Sequence, residues 1–226
     1  MSNPFLRRAT EYFVDDSAFL SIVSPEPLKV FLADVRDKNI HFDLPVRIIG
    51  NPGSGKTMLA ALIEFRLIEL ILGDVKNENR KPLADALSYC GFTDGEAPLV
   101  VAARIPMEAE YRDFWELPYD EVIKARLVYS LIQARSILGW VRNLLAVESR
   151  SLDDVKFVLR DGSSAHIDQI GGCDSASILK RAQDVEHAIY TIGASLFPPS
   201  VEQIPEVARS PYQPFETIKG IEIKWD

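Results

Sequence analysis

Gly50-Asn51-Pro52-Gly53-Ser54-Gly55-Lys56-Thr57 fills the phosphate-loop pattern G-x-x-x-x-G-K-[ST] at every required position. Its flanks fit the same reading. Leu44 to Ile49 (Leu-Pro-Val-Arg-Ile-Ile) reads as a short buried strand entering the loop, and Thr57 to Leu72 as a helix leaving it. Each residue type has a physical task. The glycines allow backbone angles that a side chain forbids and let the main chain come close to a ligand. Successive N–H groups then form an anion-binding nest, reinforced by the start of the following helix. Lys56 is expected to reach the β- and γ-phosphates, and the Thr57 hydroxyl to ligate Mg²⁺. The nucleotide-binding residues read here are Gly50, Asn51, Pro52, Gly53, Ser54, Gly55, Lys56, Thr57 and Met58. Lys56 is also the catalytic candidate and Thr57 the metal ligand.

The rest of the chain sets bounds. Its 226 residues suffice for one α/β domain with an appendage. A net charge of −8 argues against nucleic acid coating the whole surface; a local basic patch stays open, so DNA is a possible partner that net charge does not support. Cys90 and Cys173 form no metal or redox spacing and read as reduced thiols. No signal peptide precedes Arg7 and Arg8. The most apolar helix, after the loop, is interrupted by Glu64, Arg66 and Glu69, so no membrane span is expected. A cytoplasmic location follows from an intracellular ligand.

Along the chain, a helical lead-in is expected over residues 1–43, with a short helix from Asp16 or Ser17 to Val23 and a second from Leu28 to Val35. A P-loop core follows over 44–197, and a Pro-rich linker with a terminal strand over 198–226. Gly73 is read as closing the helix after the loop, and Pro82 as starting another that ends near Gly91. Ala97 to Ala103 (Ala-Pro-Leu-Val-Val-Ala-Ala) reads as a central parallel strand. Arg104, at its end, is a surface arginine or a contact for phosphate or a partner. Asp120 to Val147 is the longest expected helix; its Lys124, Arg126, Arg135 and Arg142 form a solvated face or a partner surface. Leu152 to Leu159 reads as a strand, Ser175 to Ile192 as a helix and Ile218 to Trp225 as a last strand. Pro198, Pro199, Pro205, Pro211 and Pro214 mark a loop between the last two.

A hydrolysing phosphate-loop enzyme needs an acid beside the magnesium. The nearest approach is Phe157-Val158-Leu159-Arg160-Asp161, and Asp161-Gly162 reads more naturally as a hairpin turn. The expectation is therefore of a chain that is the N-terminal part of a longer ATPase, or of a protein that binds nucleotide without efficient hydrolysis.

With Asn3-Pro4-Phe5, Arg7 and Arg8 before two short helices, then Val46 to Leu59, then a buried strand near Leu99 to Ala103, the first hundred and fifty or so residues resemble bacterial members of the origin-recognition-type AAA ATPases. The resemblance implies an α/β fold, a three-layer core with a mostly parallel sheet behind a helical lead-in. It implies ATP with Mg²⁺ as ligands, residues around Pro4 to Arg8 near the base, and assembly with protein partners or as a homo-oligomer. ATP over GTP is likewise implied by the resemblance, and no Asn-Lys-x-Asp guanine-reading motif is present. The chain departs from the pattern in lacking the second acidic motif, the sensor residues and the C-terminal lid. The function read is an ATP-binding module that switches a larger assembly, its hydrolysis needing residues from elsewhere. The alternatives are a non-hydrolysing scaffold and a small-molecule kinase. A kinase would use Glu108, Glu110 or Asp113 near its acceptor, but no Arg-bearing lid accompanies them.

Overall fold

The computed structural model describes residues 16–30, 47–51, 53–74, 76–105, 110–146, 150–159, 174–210, 212 and 221–225. The chain divides into two compact units, Met1–Arg104 and Ile105–Asp226.

In the first unit, helix α1 (Asp16–Ile22) leads to a helical turn over residues 26–30. Three helices follow the phosphate loop: α2 (Lys56–Leu62), α3 (Phe65–Gly73) and α4 (Lys81–Tyr89). Phe19 and Leu20 of α1, Leu59 and Leu62 of α2, Leu67, Ile68 and Ile71 of α3, and Leu83 and Leu87 of α4 share one buried core. Their spacing of three and four residues is the apolar stripe that a helix must bury. Asp16 of α1 pairs with Arg66 of α3, and Arg80 Nη2 donates to Ser17 Oγ at 3.1 Å, fixing α1 against the later helices.

In the second unit, α5 (Glu110–Glu116) precedes α6 (Glu121–Leu145), and α7 (Ser175–Gly193) packs along α6. Both long helices bury residues at alternating steps of four and three: Leu127, Leu131, Ala134, Leu138 and Val141 on one, Ile178, Ala182, Val185, Ile189 and Ile192 on the other. That is the seam spacing of a coiled coil. Tyr119, before α6, donates to the Pro199 carbonyl, beyond α7, at 2.7 Å, and Arg135 meets Glu186 midway, so the pair runs antiparallel. Strand β1 (Val155–Leu159) pairs antiparallel with β2 (Ile221–Trp225), Val155 opposite Trp225 and Leu159 opposite Ile221.

The α/β three-layer core with a mostly parallel sheet is therefore corrected. The described residues are predominantly helical, and the sheet among them is the two-stranded antiparallel β1–β2 ladder. Residues 47–49 form no strand, and Ile49 is 76 % exposed. Leu99 to Ala103 gains no strand neighbour among the described residues either. The Leu99 N–H goes to the Phe92 carbonyl, and the Ala102 carbonyl accepts from Phe65 N–H at the start of α3. An apolar run becomes a strand only where another strand supplies its ladder, and here a helix end takes that place.

The expected helix from Thr57 to Leu72 is in fact two. It breaks at Ile63 and Glu64, where Glu64 is extended (φ −65°, ψ 135°) and caps α3. At this break the Glu64 carboxylate is buried, 3.3 Å from Arg66 and 3.1 Å from Arg104. Gly73 is the last residue of α3, and Asp74 follows it as the cap. The long helix expected at Asp120 and the helix expected at Ser175 are both present; Asp174, not Ser175, caps the latter. The Pro-rich stretch from Pro198 packs rather than loops. It carries a 3₁₀ turn (Val201–Gln203) and α8 (Glu206–Arg209), and buries Ile204, Ala208 and Tyr212.

Candidate nucleotide site

Gly50, Asn51 and residues 53–56 lead into α2 through a tight turn with two left-handed glycines. The Ser54 N–H donates to the Asn51 carbonyl at 3.2 Å, and the Leu59 N–H to the Gly55 carbonyl at 2.9 Å. Gly53 and Gly55 have φ of 82° and 80°, a region that a side chain disfavours. A Cβ on Gly50 would stand 2.7 Å from Ser54 Oγ. Torsion thus favours glycine at 53 and 55, while at 50 a side chain would require only the Ser54 hydroxyl to turn away.

Lys56 folds back over this turn. Its ammonium donates to the Gly50 carbonyl at 2.7 Å, the Asn51 carbonyl at 2.8 Å and Ser54 Oγ at 3.3 Å. These three acceptors match the three N–H donors of an ammonium. Charged phosphate oxygens, if placed there, would offer this ammonium stronger hydrogen bonds than these neutral acceptors do. Thr57 sits in the first turn of α2, half-buried.

A cavity of about 270 Å³ opens beside the loop. Gly50, Ser54, Gly55, Lys56 and Met58 line it together with Ile22, Val23, Ser24 and Pro27. Those last four residues are contributors that reading the sequence missed. The base contact expected at Pro4 to Arg8 lies outside the described residues, and the end of α1 stands at the loop instead. The available signal was the apolar Ile22-Val23 pair ahead of Pro25 and Pro27, which reads equally well as core packing.

Asn51, Gly53 and Thr57 belong to the loop but not to the cavity wall, while Pro52, Glu108, Asp161 and Cys173 lie outside the described residues. Arg104 is committed to Glu64 rather than to the cavity. Asp113 is exposed on α5. Most of the basic residues of α6 serve their own unit: Lys124 Nζ donates to the Trp115 carbonyl, Arg126 to the Arg209 carbonyl, and Arg135 to Glu186 and Tyr111. Among the described residues no group of three or more His, Cys, Asp or Glu side chains is placed to hold a metal. A magnesium ion carried on phosphate oxygens keeps several waters and takes few protein ligands, so a group of three is not what it would need. Among the described residues, no helix is long and apolar enough to cross a membrane.

No protein-family model matches the chain, and neither the curated proteins nor the solved structures contain a significant match.

Proposed function

We propose that Gly50 to Thr57 and the adjoining cavity bind a magnesium nucleoside triphosphate, ATP in the first instance. The reading rests on one observation above the others. A complete phosphate-loop sequence adopts a turn with Gly53 and Gly55 in the left-handed region, Lys56 over its mouth and a cavity at its side. In this reading the triphosphate lies in the turn, Lys56 neutralises the β- and γ-oxygens, and Thr57 holds the metal. The base enters the cavity against Ile22, Val23 and Met58. The proposal stands on the site alone and carries no parallel sheet with it.

The role proposed is a nucleotide-dependent switch within a larger assembly. Among the described residues, no acidic side chain stands on the cavity wall to align an attacking water. Turnover therefore requires a carboxylate from outside the described residues or from a partner. Binding without such a partner changes the state of the first unit but leaves the nucleotide intact. Calorimetric titration of Mg·ATP into the whole chain tests the reading. The expected result is one site per chain and its loss, or near loss, in Lys56→Ala. Unchanged affinity in that variant refutes the assignment.

A further inference from the structure

The cavity wall next to the phosphate loop says which triphosphates the site takes. Outside the loop it is built by Ile22, Val23, Pro27, Ile48, Met58 and Leu59 and their apolar neighbours, with Ser24 as the single hydroxyl among the described residues. No amide, carboxylate, imidazole or guanidinium side chain among them lines it. The Ser24 oxygen already accepts from the Glu26 N–H at 3.3 Å. A hydroxyl also rotates to donate or accept as its neighbour requires.

Adenine and guanine differ at the six-position, an amino donor against a carbonyl acceptor. Separating them strongly takes a buried polar group that is left unpaired by the wrong base. Apolar side chains discriminate only by shape and contact area, which is worth far less, so any stronger preference would have to come from main-chain groups. We infer that this site is a general purine nucleoside triphosphate site, which holds its ligand by the phosphates and the faces of the base and does not separate ATP from GTP. The inference rests on the nucleotide reading above and sharpens its substrate class. Pyrimidine triphosphates bind more weakly because a smaller ring covers less of the wall.

The test is a set of calorimetric titrations of the whole chain, in magnesium, with ATP, GTP, CTP and inorganic tripolyphosphate. The same ligands are titrated into Ile22→Ala. Ile22 is 55 % exposed, so its truncation leaves the core of the first unit untouched. The expected result is dissociation constants for ATP and GTP within about ten-fold of each other, the range that shape alone supplies. Ile22→Ala should weaken ATP and GTP in parallel, by about three- to ten-fold for the smaller apolar wall, and leave tripolyphosphate unchanged. A larger preference for either purine overturns the inference while leaving the phosphate-loop reading intact. A parallel weakening of tripolyphosphate in Ile22→Ala also overturns it, since the wall would then act through the loop. Failure of all four ligands to bind the unaltered chain refutes the nucleotide reading itself.

Discussion

Gly55→Ala isolates the backbone of the phosphate loop from everything around it. Gly55 has φ 80° and ψ 9°, and a Cβ built there meets nothing within 4 Å. Steric neighbours thus contribute nothing, and the whole effect is torsional. Holding alanine in the left-handed region costs about 1–2 kcal/mol. Losing glycine's freedom in the unfolded chain returns about 0.4–1 kcal/mol. The net expectation is a loss of roughly 0.5–1.5 kcal/mol in the first unit, and a smaller loss for Gly55→Asn, whose side chain tolerates this region. Urea unfolding followed by far-UV circular dichroism measures it, since the tryptophans, Trp115, Trp140 and Trp225, all lie in the second unit. The midpoint seen by dichroism should fall. On the proposed function, Mg·ATP affinity should fall in the same variant, because the loop amides turn with the backbone. Gly55→Ala at or above the stability of the parent chain, with Asn no better than Ala, refutes the left-handed loop and the nest built on it.

Three further outcomes follow in the second unit. A Cβ on Gly193 would stand 2.6 Å from the Phe114 ring, which is buried, so Gly193→Ala should lower stability by about 1–2 kcal/mol despite its better helix propensity. Phe114→Leu in the same chain should restore part of that loss, and strict additivity in thermal melts would contradict the contact. Arg135 lies 3.1 Å from Glu186, 3.2 Å from the Tyr111 hydroxyl and 5.2 Å from that ring's centre, with 16 % of its side chain exposed. Arg135→Met should cost roughly 1–3 kcal/mol, discounted toward the lower end for the partly exposed Glu186. A double-mutant cycle with Glu186→Gln should show coupling, and its absence counts against the link. Asp174 caps α7, and its carboxyl is held below its ordinary value of 3.8 by hydrogen bonds from the Ser177 side chain and backbone N–H. A lowered folded value means stability that is complete above 3.8 and fades as the pH falls through the folded value. Asp174→Ala should be less stable at neutral pH and lose less on acidification than the parent; equal slopes in acid titrations followed by dichroism would contradict the cap.

The helices of the second unit were legible because their apolar period runs long. The four–three steps from Leu127 to Val141 and from Ile178 to Ile192 fit a helix and no other element. Asp120 likewise announced its helix start, and its side chain does accept from the Ile123 N–H. The loop's glycines were legible for the same kind of reason, since a left-handed turn leaves few residue types to choose from. Leu99 to Ala103 was not. A short apolar run has no period to separate a strand from an extended segment, and its partner, the Phe65 N–H, lies more than thirty positions earlier. The break at Glu64 carries no Gly or Pro to mark it. At the break the Glu64 carboxylate is buried beside Arg66, two positions on, and Arg104, which only the folded chain brings to it. Tyr212 was hidden by its proline-rich surroundings, although burial pushes its hydroxyl well above the usual tyrosine range and shows how tightly that segment packs.

The most direct measurement is a crystal structure of the chain with magnesium and a non-hydrolysable ATP analogue. The account predicts phosphate density within the Gly50–Thr57 turn, with Lys56 Nζ moved off the Gly50 and Asn51 carbonyls onto β- and γ-oxygens. Lys56 still bonded to those two carbonyls, with the analogue bound at another place, would contradict it.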